Sequence, residues 1–182
     1  MSPAILSTRT VAVPVEFFAG LRQSALASSG NAAPLPVDAI RDAGYAAGAA
    51  LFDHFAQWLA EQGEARPAEL ADERFPWLLE AFFHHIGWGR VELHPLSDAV
   101  MALDASDWGE SSSGAGGCLV STGLFAGFFG RLADAPICVL EVEHAAPDAS
   151  RARFLLGSID VMRYVWEAME RGIPYDRAAA SA

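Results

Sequence analysis

The stretch that decides the fold is Gly117–Leu156, GCLVSTGLFAGFFGRLADAPICVLEVEHAAPDASRARFLL. Its first part predicts a glycine-punctuated helix of about 15 residues that begins near Cys118. Its second part alternates between apolar and polar residues and predicts a β-hairpin, with strands over Ile137–His144 and Arg151–Ser158. We therefore expect a helix that leads directly into a hairpin.

The character of the side chains gives this hairpin a register. One face is predicted to carry the cross-strand pairs His144–Ala152, Val142–Phe154 and Leu140–Leu156, together with Cys138. The other face is predicted to carry the charged residues Arg151, Arg153, Glu141 and Glu143. Opposite charges can then pair across the strands on that second face, which supports the register.

Two amphipathic helices are predicted upstream of this stretch. Apolar residues recur every three or four positions after Pro36 and predict a helix of roughly 25 residues. Gly44 and Gly48 lie on one side of it, where another backbone could approach closely. A second helix is predicted from about Ala68 to His85, with an interruption near Phe75 and Pro76.

Alternation over residues 90–94 and Ala99–Asp104 predicts an antiparallel strand pair, and Glu110–Gly117 reads as a flexible loop. Ser158 is a suitable N-cap for a last helix over Ile159–Arg171. The predicted order is α-α-β-β-α-β-β-α. This order indicates an α+β fold, in which helices pack on one face of a four-stranded antiparallel sheet.

The sequence predicts one domain with short extensions. Residues 1–35 are predicted as an irregular N-terminal arm, in which VAVPVEFFAGL is either a short strand or a docking segment. Residues 36–175 are predicted as a single domain, and residues 176–182 as a frayed tail.

Composition excludes several function classes. The 182 residues are 52% hydrophobic, which is enough for one packed core. A net charge of −11 opposes direct binding to nucleic acid, which relies on clustered Lys and Arg. No apolar run is long enough to span a membrane. Two cysteines do not form a disulfide framework, so we expect a cytoplasmic protein.

The chain resembles the 4-vinyl reductase domain family, in the superfamily of TRAPP transport-particle subunits. The segments that carry the resemblance are GWGRVEL at Gly87–Leu93, Cys118-x4-Gly123-x3-Gly127, and the hairpin Glu141-x2-His144 to Ala152-x-Phe154. The resemblance implies a domain that binds a small, mostly apolar molecule, often as a homodimer. Family members were named for a role in bacteriochlorophyll vinyl reduction, and others sense aromatic compounds in transcription activators.

The resemblance also raises the question of zinc. In metal-binding relatives, three cysteines of this motif and an upstream carboxylate hold the ion. Here the three cysteine positions carry Cys118, His144 and Ala152, and the carboxylate is either Asp107 or Glu110. Alanine donates nothing, so the set falls short of a closed tetrahedral site. We predict no cofactor, with Cys118 and His144 as weak zinc candidates.

A ligand site is predicted where aromatic side chains meet a few polar groups. The expected ligand-binding residues are Phe82, Trp88, Cys118, Ser121, Phe125, Phe128 and His144. The alternative for the aromatic members is that they are plain core. No catalytic triad, phosphate-binding loop or acid–base signature is present, so catalytic residues are not predicted.

Three functions follow, in order of preference. The first is a non-catalytic sensor or carrier domain for a small hydrophobic ligand. The second is a structural or adaptor protein that assembles through its helical faces, with the side of Gly44 and Gly48 as the contact. The third is an accessory to tetrapyrrole reduction.

Overall fold

The computed structural model describes residues 13–26, 36–113, 117–144 and 151–182. Its α-helices are α1 (Glu16–Leu26), α2 (Val37–Glu61), α3 (Arg74–His85), α4 (Leu119–Ala133), α5 (Ile159–Glu170) and α6 (Tyr175–Ala180). Its strands are β1 (Arg90–Pro95), β2 (Met101–Ser106), β3 (Cys138–His144) and β4 (Ala152–Gly157). Single 3-10 turns cover Pro67–Glu69 and Ser111–Ser113.

The four strands form one antiparallel sheet in the order β1-β2-β4-β3. Helices α2, α3 and α4 cover one face and bury its apolar side chains. These strand residues are Val91, Leu103, Ala105, Val139, Ala152, Phe154 and Leu156. The predicted α+β class, the antiparallel sheet and the order of its central elements are confirmed.

Helices α5 and α6 pack on the other face of the sheet, whereas the sequence predicted helices on one face. Neighbouring residues of β2 and β4 are buried on opposite sides: Leu103 and Leu156 face α2–α4, while Ala102 and Leu155 belong to a second core. Met162 completes that second core from α5. Strands that are apolar on both sides need cover on both sides.

Helices α2 and α4 pack with their backbones in direct contact through glycines. A Cβ atom on Gly48 would lie 1.9 Å from the carbonyl oxygen of Leu124, and one on Gly44 would lie 2.2 Å from that of Val120. Gly123 makes an equally close approach to α2 from the other side. The close approach predicted for Gly44 and Gly48 therefore lies inside the domain, and this face is not free for assembly with other chains.

A β-bulge in β3 changes the predicted register. His144 lies opposite Ala152 as predicted, but Glu141 lies opposite Phe154, so Val142 is an extra residue. Beyond the bulge, the predicted pairs Val142–Phe154 and Leu140–Leu156 are wrong by one residue. Because a one-residue shift moves side chains to the opposite face, Glu141 turns toward α4 and Cys138 turns toward α5.

The predicted arm and tail both contain packed helix. In α1, the ring centroid of Phe18 lies 5.5 Å from that of Trp88. The rest of the predicted arm, residues 1–12 and 27–35, lies outside the described residues. In α6, Ala178 and Ala179 are buried in the second core. Their small side chains allow the tail to pack closely instead of fraying. The domain bounds 36–175 stay a prediction.

Within the described residues, no helix combines the length and the apolar character that crossing a membrane requires.

Candidate functional site: an aromatic core and two clefts

The predicted aromatic site residues lie together in the main core. Phe82, Phe125 and Phe128 are at most 2% exposed, and all three surround the buried ring of Phe83. Their ring centroids lie 5.6, 5.9 and 5.6 Å from that of Phe83. Rings at such distances are in direct contact. Three of the predicted site residues therefore pack around one buried ring, and their role in ligand binding stays a prediction.

Trp88 and Ser121 meet through Trp108, a residue that the sequence analysis did not select. The rings of Trp88 and Trp108 lie 5.4 Å apart, and the Trp108 indole N–H donates to Ser121 Oγ at 2.7 Å. Trp108 is fully buried just beyond the end of β2. The one feature of the sequence that could have indicated this contact is the position of Trp108, two residues before the candidate carboxylate Glu110.

Glu110 caps the start of α4 from inside the protein. Its carboxylate accepts hydrogen bonds from the backbone N–H groups of Val120 and Ser121, at 2.9 and 2.7 Å, and from Ser121 Oγ at 2.5 Å. Burial raises the pKa of Glu110, and these hydrogen bonds oppose the rise. The predicted flexible loop therefore begins at a buried residue, since Glu110 is only 2% exposed. Its carboxylate is held inside because the backbone N–H groups in the first turn of α4 need hydrogen-bond acceptors.

Cys118 lies at the N-cap of α4, and its backbone N–H donates to Glu141 Oε2 at 2.7 Å. The bulge in β3 aims Glu141 at this point. Burial raises the pKa of the Cys118 thiol, and the nearby carboxylates of Glu141 and Glu110 raise it further. The thiol therefore stays protonated at neutral pH, which disfavours a reactive thiolate.

The zinc prediction at Cys118 depends on the donors around it. Ala152 offers no ligand opposite His144, whose side chain lies outside the described residues. The carboxylates of Glu110 and Glu141 are engaged by the first turn of α4. Among the side chains that the structure describes, no three His, Cys, Asp or Glu come together as metal ligands.

A cleft of about 360 Å³ opens between the helical layer and the sheet, at the end remote from Trp88. Its apolar walls are formed by Phe75, Met101, Phe129, Leu132, Ile137 and Leu156. Its rim includes Ser97, Asp98, Ala133 and Ser158. None of the seven predicted ligand-binding residues lines it, although Phe129 contacts two of them, Phe125 and Phe128.

A larger cleft of about 860 Å³ follows the outer edge of β3. Residues of α2 and α4 form one side and residues of α5 form the other. Tyr45, Ile159 and Trp166 line it and are each about half exposed. This surface is also free of the seven predicted residues.

The fold is shared with a known sensory domain. The crystal structure of the phenol-responsive sensory domain of the transcription activator PoxR, solved with phenol, matches with a TM-score of 0.60. The match covers 94% of this chain and 83% of that one, at 14% sequence identity, so the likeness is one of fold. Neither a family model nor a curated protein sequence matches the chain.

Proposed function

We propose that this chain is a non-catalytic binding domain for a small, mostly apolar molecule, acting as a sensor or carrier. The observation that carries the proposal is the apolar cleft of about 360 Å³ between the helical layer and the sheet. Ligand sites in proteins are concave and mostly apolar, with a few polar groups, and begin at about 300 Å³. The fold that the chain shares with a phenol-responsive domain supports the same function.

The resemblance to the 4-vinyl reductase family agrees with this function and implies further properties of the protein. On that basis we propose family membership, a homodimeric state and a cytoplasmic location. The seven residues predicted from the sequence remain a second possible site for the ligand. Occupation of that site requires rearrangement of rings that now touch one another.

Native mass spectrometry of the protein purified from cells tests the function directly. We expect an added mass of a few hundred daltons or less, which disappears after extraction with organic solvent and returns on incubation with 4-bromophenol or 2-naphthol. A protein that carries no ligand and is saturated by neither compound at millimolar concentration contradicts the proposal.

An adaptor function is favoured by a different observation, the cleft along β3. Tyr45, Ile159 and Trp166 expose apolar surface there, as protein interaction sites do. In that case the contact is not the side of Gly44 and Gly48, since α4 already covers it. A double variant, Tyr45→Ser with Trp166→Ser, should then lose protein partners while it keeps small-molecule binding.

A further inference from the structure

We infer that the ligand lies in the cleft between the start of α3, the end of α4 and the turn from β1 to β2, and that it is a neutral molecule of one or two rings with one hydroxyl or similar polar group. The inference rests on the proposed function and makes it specific. It places the ligand at the opposite end of the sheet from Trp88.

In the part of the aromatic core that the structure describes, the rings pack directly against one another. The Phe125 ring lies 5.0 Å from that of Phe154 and 5.2 Å from that of Trp108, and all three side chains are fully buried. Protein cores are packed to the density of organic crystals, so a guest must displace side chains. An existing cleft beside the core avoids that cost.

The walls of the cleft continue the aromatic core outward. The ring centroid of Phe129 lies 5.4 Å from that of Phe128, and the ring centroid of Phe75 lies 6.1 Å from that of Phe55. Met101 and Leu156, from neighbouring strands, form the floor. A ring placed there would meet aromatic side chains from the helices and aliphatic side chains from the sheet, which suits a flat apolar molecule.

The polar side chains that line the cleft are Ser97, Asp98 and Ser158. Ser97 Oγ accepts from the backbone N–H of Ala99, and Ser158 Oγ accepts from that of Val161, both at 3.3 Å. Each hydroxyl can still donate its own proton, and the carboxylate of Asp98 can accept one. These groups provide for one polar function at the rim of an otherwise apolar site.

Volume and charge limit the class of ligand. About 360 Å³ lies at the small end of the range for ligand sites, which fits one or two rings and not a tetrapyrrole. Asp98 at the rim and a net charge of −11 both oppose carboxylates and sulfonates. A neutral alcohol or phenol meets both conditions.

The test is isothermal titration calorimetry of the full chain with 2-naphthol, using a pair of matched variants. Ala133→Trp places a large side chain at the rim of the cleft, in the last turn of α4. Ala60→Trp makes the same change in the last turn of α2, also at an exposed position and away from the cleft. We expect Ala133→Trp to weaken binding at least tenfold and Ala60→Trp to leave the dissociation constant within about twofold.

A third variant, Trp88→Phe, separates the two possible sites. If it weakens 2-naphthol binding tenfold while Ala133→Trp binds like the wild type, the location inferred here is wrong and the proposed function stands. If wild-type protein neither binds 2-naphthol nor carries a retained ligand, the proposed function fails and the inference fails with it. Urea unfolding of each variant verifies that its fold is intact.

Discussion

At the scale of single residues, side-chain carboxylates make the hydrogen bonds that hold separate elements of the chain together. Glu110 and Glu141 both accept hydrogen bonds from the first turn of α4. The sequence marked Glu110 as a possible metal ligand and Glu141 as part of a charged strand face. Each assignment missed the contact, because the unpaired N–H groups of a helix start become partners only once the chain has folded around them.

Asp104 provides a pH test at this scale. It lies directly opposite Arg153 in the sheet, and the guanidinium donates to both carboxylate oxygens, at 2.5 and 2.6 Å. The hydrogen bonds from Arg153 lower the pKa of Asp104 below its ordinary value of 3.8. The stabilisation is therefore fully present above pH 3.8 and is lost as the pH falls through the lower, folded-state pKa.

We expect Asp104→Asn to be less stable at pH 7 by about 1 kcal/mol or less, since the pair is partly exposed. The variant should also lose less stability than the wild type when the pH falls from about 4 to about 2. Urea unfolding across this range measures both effects, with the exposed Asp72→Asn as the control. Identical pH profiles for Asp104→Asn and wild type would show that the pair contributes nothing.

At the scale of elements, the contact between α2 and α4 depends on the absence of side chains. A methyl group at Gly48 would lie within 1.9 Å of the Leu124 carbonyl oxygen, so the two helices would have to move apart. Gly20, in the middle of α1, has nothing within 4 Å of the same added atom. The two glycines form a matched pair for one substitution.

Gly48→Ala should destabilise the protein by roughly 1–3 kcal/mol or more, as overpacking does. Gly20→Ala should be neutral or stabilising by up to about 1 kcal/mol, because alanine favours the helix. Thermal and urea unfolding of both variants provide the measurement. If Gly48→Ala is as stable as Gly20→Ala, the two backbones do not pack as described.

Helices α2 and α4 were predicted well because their apolar spacing is local. Val37–Glu61 and Leu119–Ala133 match the predicted helices in length and position. The register of the β-hairpin was predicted only as far as the bulge at Val142. No residue near Val142 signals the bulge, because the contact that goes with it joins Glu141 to the N-cap of α4, 23 residues earlier in the chain.

At the scale of the whole molecule, the chain has two cores on the two faces of one sheet. The sequence predicted one core, because the strands of the hairpin were assigned one apolar and one charged face. The second core also explains why α5 and α6 pack against the sheet. The cleft lies where the first core stops short of the turn between β1 and β2. Its walls come from α3, α4, β2, β4 and the loops that connect them, so no sequence motif could mark it.

We propose that a small apolar molecule binds in this cleft. A crystal structure of the full chain grown with 4-bromophenol tests it most directly, because the anomalous signal of bromine locates the ligand. We expect a bromine peak between Phe75 and Phe129, with the hydroxyl toward Ser97 or Ser158. A peak in the aromatic core beside Trp88, or no peak from protein saturated in solution, would contradict it.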